Sequence, residues 1–124
     1  MTQKRTFRDL IVWRKAVALA RAVYEHTQQM PKIEQFGLTN QMRRAAVSIA
    51  SNIAEGNARQ TTRDYVHFLM VARGSLAELE TQLVIAQELN FITRSDNLTE
   101  LLREISRMLQ ALIASLRRQE QRLR

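Results

Sequence analysis

QMRRAAVSIASNIAEG, running from Gln41 to Gly56, is the stretch whose reading decides the fold. Residue size as well as polarity is patterned in it. Ala45, Ala46, Ser48, Ala50, Ser51 and Ala54 make a surface on which another backbone can lie close. Met42, Ala46, Ile49 and Ile53 recur at spacings of four, three and four, the rhythm of an apolar helical seam. Gln41, Ala45, Ser48, Asn52 and Glu55 keep that rhythm one row over and form a small, polar seam. Thr39 is placed to cap the start of the helix, and Gly56 to take the left-handed conformation that ends one. The stretch reads as a helix with one face for a core and a neighbouring face for something polar and close.

Three further helical patterns surround it. The first covers about Arg8 to Gln29, with Leu10, Trp13, Val17, Ala20 and Tyr24 as its main seam. Val12, Ala16, Leu19 and Val23 widen that apolar face beyond what one bundle uses, which predicts self-association. The break MPKIEQFGLT holds Pro31 and Gly37, so the chain turns there. After the break NARQTT, Thr61 and Asp64 give a capping-box-like start to the third helix. Its seam is Tyr65, Leu69, Ala72, Leu76, Leu79, Leu83 and Ala86, and it tolerates Gly74, which points to close packing beside Ser75. Ser95 is placed to cap the last helix, whose seam is Leu98, Leu102, Ile105, Leu109, Leu112 and Leu116.

A repeat near 3.5 favours helices crossing at roughly 20° in a left-handed bundle, and short breaks make successive helices antiparallel. The expected fold class is all-α: an antiparallel up-down-up-down four-helix bundle, one domain over residues 1–124. Helices are expected near residues 8–29, 39–56, 62–89 and 96–120. Ile49, Ile53, Leu69, Leu76, Leu79, Leu83, Ile105 and Leu109 are the expected core.

Only three glycines and one proline leave little turn chemistry for a β fold, and the absence of cysteine excludes disulfides and thiolate metal sites. No apolar run approaches the length of a membrane span and no secretory leader is visible, so a cytoplasmic protein without membrane partner is expected. The formal net charge is +7, with a sequence pI near 11.0. In an up-down-up-down bundle the N-terminus, the second connection and the C-terminus share one end. Lys4, Arg5 and Arg8 bring +3 there, Arg59 and Arg63 bring +2, and Arg117, Arg118, Arg122 and Arg124 against Glu120 bring +3. Everything else nets −1, so the basic character collects at one end and points to nucleic acid, bound through phosphates.

Catalytic readings find less support. Glu55 in the polar seam lacks a second titratable neighbour, and the chain holds only His26 and His67, in no metal-binding spacing. No cofactor is implied. Hydrogen bonding across helices or subunits accounts for the seam, and Glu55 with Arg59 makes an ordinary helix-end ion pair. Arg21 followed by His26 fits a loose ribonuclease-like spacing, but such a pair arises readily by chance in an arginine-rich helix. Trp13, Tyr24 and Tyr65 fall on core seams, which leaves Phe7, beside the basic N-terminus, as the aromatic placed to stack on a base or to staple the first helix.

Four blocks carry a resemblance: FRDLIVWRKA at 7–16, PKIEQFGLTNQMRRAAVSIASNIAEG at 31–56, FLMVARGSLAELE at 68–80 and RMLQALI at 107–113. Together they resemble the four-helix-bundle proteins encoded in intervening sequences of bacterial 23S ribosomal RNA genes, described as ribosomal-protein-like. These are similar in turn to the accessory variability determinant proteins of diversity-generating retroelements. The resemblance implies a homopentamer of four-helix protomers with no known catalysis, and for the retroelement relatives binding to nucleic acid and to a protein partner. The matching positions are Arg43, Arg44, Ser48, Ser51, Asn52, Glu55 and Gly56. The function expected is a non-enzymatic, oligomeric, basic bundle that binds structured RNA, the alternative being an adaptor whose target is another protein.

Overall fold

Apolar residues spaced three and four apart leave each helix one stripe to bury, and the four stripes meet in a single core. The computed structural model of the protein describes residues 6–122. Its helices are α1 (Ile11–His26), α2 (Leu38–Asn57), α3 (Thr62–Glu88) and α4 (Asp96–Arg122), with no strand among the described residues. Short 3-10 turns at Phe7–Asp9, Thr27–Gln29 and Lys32–Glu34 complete it.

Contacts between neighbouring helices run in opposite order along the chain. Ser48 meets Ser75 while Asn57 meets Tyr65. Lys15 pairs with Glu104 while His26 bonds Thr93. Arg43 bonds Thr27 across the first turn, and Arg117 lies against Met70 near the start of α3. The neighbours are therefore antiparallel, and α2 and α3 pack against each other most extensively. All eight expected core residues are buried, six of them completely.

Local signals explain most helix ends. Thr61 accepts a hydrogen bond from the Asp64 amide at 3.1 Å, and Ser95 from the Leu98 amide at 3.2 Å. α3 closes in a Schellman motif: Phe91 N donates to Ala86 O, Asn90 N donates to Gln87 O, and Asn90 sits at φ 61°.

Several expectations are corrected. On α1 the two seams exchange roles: Val12, Ala16, Leu19 and Val23 are buried, whereas Val17 and Tyr24 are 43% and 45% exposed. The rows differ by about 100° around the helix, and periodicity gives the spacing of a stripe without its phase. On α4 Ile113 is buried in place of Leu112, because a straight helix drifts about 20° per heptad against a strict 3.5 repeat. Thr39 caps nothing. α2 begins at Leu38, behind Gly37, so Thr39 lies inside the helix with its hydroxyl buried and without a partner. Gly56 is not a left-handed terminator either, since α2 runs on to Asn57 and no described glycine has positive φ. Gly74 faces open space, not a packed neighbour.

Candidate nucleic-acid interface and the signature helix

The topology brings three separate segments to one end of the bundle: the start of α1, the α2–α3 connection and the end of α4. Arg8, Arg59, Arg63, Arg117, Arg118 and Arg122 are all exposed there. Lys4, Arg5 and Arg124 lie outside the described residues. Phe7 does not reach toward solvent as a stacking ring; it packs edge-on against Trp13 at 5.0 Å and staples the entry to α1. Thr6 and Asp9 cap that turn reciprocally, and Arg14 holds the Arg8 carbonyl at 2.9 Å, so the Arg8 backbone is fixed.

Charge counting by segment missed the acids next door. Asp9, Glu55 and Asp64 belong to the same end, one residue or one turn outside the basic segments. Glu55 takes Arg59 at 2.7 Å, and the Arg59 guanidinium stacks over Phe68 at 4.6 Å. Arg59 is thus the most committed of the six, Arg117 donates weakly to Met70 Sδ at 3.9 Å, and Arg63, Arg118 and Arg122 are exposed to an anion. The pairing of Glu55 with Arg59 is the one the four-residue spacing had already given in the sequence.

The signature helix α2 uses its polar residues mainly for packing. Asn52 donates to the Ser48 carbonyl at 2.8 Å and to its hydroxyl at 3.0 Å. Ser48 in turn shares a hydrogen bond of 2.9 Å with Ser75, tying α2 to α3. Gly56 lets α3 come so near that an added Cβ would meet Phe68 Cβ at 2.9 Å. Arg43 reaches back to α1, donating to Thr27 Oγ1 at 2.9 Å and stacking on Tyr24 at 4.7 Å. It caps the carbonyl end of α1, where a cation is favoured by the helix dipole. Arg44 and Ser51 remain exposed.

The arginine and histidine of the ribonuclease-like spacing each have partners within the protein. Five residues separate the two on one helix, about 140° apart around its axis. Arg21 pairs with Glu25 at 3.1 Å. His26 Nε2 donates to the Thr93 carbonyl at 2.7 Å, and its Nδ1 accepts from Gln29 at 3.3 Å. Nε2 thereby ties α1 to the α3–α4 connection, and Nδ1 holds Gln29, whose Oε1 accepts from Thr93 N and Oγ1 at 3.4 Å. Burial raises the Tyr65 phenol above the ordinary 10.0, and a hydrogen bond from Asn57 partly offsets this. Among the described residues no group of three His, Cys, Asp or Glu is placed to hold a metal, and no helix is long and apolar enough to cross a membrane.

A four-helix bundle with a helix-locking signature and a basic end defines a class of small all-α proteins. Within it, the model of the 23S rRNA-intervening sequence protein family matches residues 8–111, and the chain belongs to that family. A comparison with curated proteins returns no match.

Proposed function

We propose that the protein is a non-enzymatic, cytoplasmic, homo-oligomeric RNA-binding bundle that holds structured RNA by its phosphates. The observation that carries this reading is the gathering of arginines from three separate chain segments at one end, while Arg21 and Arg43, away from that end, are engaged within the protein. Guanidinium groups suit phosphate oxygens geometrically, and such contacts add affinity without reading bases. The pentamer stoichiometry is taken from the family resemblance. Assembly would present several copies of the basic end together and raise apparent affinity without new contacts.

Arg8, Arg63, Arg117, Arg118 and Arg122 make about five phosphate contacts per protomer, so log K should fall with log salt at a slope of roughly −3.5 to −4.5. Replacing Arg117, Arg118, Arg122 and Arg124 with Gln should leave helicity and assembly unchanged, because these residues lie past Leu116, the last buried residue of α4. RNA affinity should drop and the slope flatten to roughly −1.4 to −1.8. Filter binding of a structured RNA across a salt series measures both. Equal affinity and equal slope in the variant would leave the arginines as a solubilising tail and favour a protein target.

A further inference from the structure

Phe7 is turned inward and Tyr24 lies under Arg43, which leaves Phe36, 89% exposed, as the aromatic ring most open to solvent. It stands on a turn with a defined backbone. Glu34 N donates to Pro31 O, Gln35 N to Lys32 O and Gly37 N to Glu34 O, at 2.9, 3.1 and 3.0 Å. Glu34, on the same turn, is engaged by the start of α2, accepting from Leu38 N at 3.5 Å. A ring held out on an ordered turn can stack on a flat partner at little further cost in ordering.

Phe36 lines a cleft of about 500 Å³ between α2 and α3, within the size range of small-molecule sites. The charged residues of its lining are Arg44 from α2 and Glu78 from α3, with the exposed amides of Asn40 and Gln41 beside Arg44. Arg44 has no partner among the described residues. Glu78 Oε1 accepts from Gln82 Nε2 at 3.3 Å, and Gln82 is buried, so one carboxylate oxygen is anchored to the bundle. Glu78 Oε2 has no partner among the described residues. A guanidinium and a carboxylate that line one cleft without closing on each other can take two neighbouring edges of one ligand.

Guanine carries its groups in the matching order. N7 and O6 are two successive acceptors, and N1–H and the N2 amino group continue as two successive donors. Arginine takes the N7 and O6 pair bidentately, and an ionised carboxylate accepts from two parallel N–H groups. Adenine, cytosine and uracil offer no such run of two acceptors followed by two donors. The two side-chain charges offset each other, which suits a neutral base. We propose that this cleft takes an unpaired guanine of the bound RNA, stacked on Phe36, with Arg44 on N7 and O6 and Glu78 on N1–H and N2–H. Pairing would occupy the edge that Glu78 takes, so the guanine comes from a loop, a bulge or an end. The inference rests on the RNA-binding function proposed above for the source of the base. It adds base selectivity to contacts that read phosphates alone.

The test titrates the full chain calorimetrically with GMP, AMP, CMP and UMP. Filter binding then compares a hairpin RNA carrying loop guanines with one carrying adenines in their place. GMP should bind at least about fivefold more tightly than the other three, and the guanine hairpin more tightly than the adenine one. Phe36→Ser should weaken all four nucleotides about tenfold, through lost stacking. Arg44→Gln and Glu78→Gln should each remove the preference for GMP. All three replaced residues are exposed, so circular dichroism and sedimentation should stay those of the parent. Four nucleotides bound alike, or a preference that outlasts Glu78→Gln, overturns the proposal and leaves RNA binding standing. A parent that prefers GMP but binds both hairpins equally makes the cleft a free-nucleotide site and overturns its part in RNA binding. Variants that alter sedimentation make it a subunit contact and overturn the proposal as well. A parent that binds neither hairpin overturns the RNA-binding function itself, and with it the source of the base.

Discussion

Replacing Gly56 with alanine sets two effects of opposite sign against each other. In a helix interior alanine is favoured over glycine by about 1 kcal/mol. The new Cβ, however, would lie 2.9 Å from Phe68 Cβ, 3.0 Å from Tyr65 Cδ1 and 3.2 Å from the Tyr65 carbonyl oxygen. A Cβ and a backbone oxygen cannot swing aside as the tip of a long side chain would. Relief requires α3 to move away from α2 along the most extensive interface of the bundle. With fixed atoms as the obstacles, overpacking falls in the upper part of its range, about 2–3 kcal/mol, so a net loss of about 1–2 kcal/mol is expected. For a domain of this size that lowers Tm by about 4–8 °C. Gly74→Ala is the control with the opposite sign: its Cβ meets nothing within 4 Å, so about 1 kcal/mol of stability should be gained. Thermal and urea unfolding at one fixed protomer concentration measure both, because assembly makes stability depend on concentration. Gly56→Asn separates close packing from a left-handed cap. Asparagine tolerates the left-handed region but is bulkier than alanine, so packing makes it the worse of the two. A Gly56→Ala protein as stable as the parent, or an asparagine variant more stable than the alanine one, would refute the reasoning.

Thr27→Val keeps the shape of a side chain that is 2% exposed but removes the hydroxyl that donates to Val23 O and accepts from Arg43. A loss of about 1–2 kcal/mol in urea unfolding is expected, with the first turn loosening in hydrogen exchange. Tyr65 predicts an alkaline effect. Its folded pKa lies above the unfolded value, so its contribution to stability is full below about pH 10 and is lost as pH rises through the folded pKa. Unfolding curves from pH 8 upward should show that loss in the parent and a smaller one in Tyr65→Phe.

Which parts were legible in the sequence follows from the range of the forces involved. Spacings of three and four on all four helices fixed their number, their approximate ends and the central core leucines and isoleucines. Caps at Thr61 and Ser95 were readable because the bonding groups lie three residues apart. The Glu55–Arg59 pair was readable for the same reason. Short breaks between long helices led to the antiparallel order, and from that order came the gathering of basic residues at one end.

Tertiary structure decided what depends on a second helix being present. It chose Val12, Ala16, Leu19 and Val23 as the buried row of α1, because burial depends on where α2 and α4 lie, and a period carries no phase. It turned Gly56 from a helix end into a contact with Phe68, and put the left-handed residue at Asn90 instead. Arg43 became a clamp on the end of α1 because Thr27 and Tyr24 lie beside it in space, sixteen and nineteen residues away in sequence. Composition and period are properties of a chain read one helix at a time. Close approach, phase and partner choice belong to pairs of helices, and only the packed bundle defines those pairs.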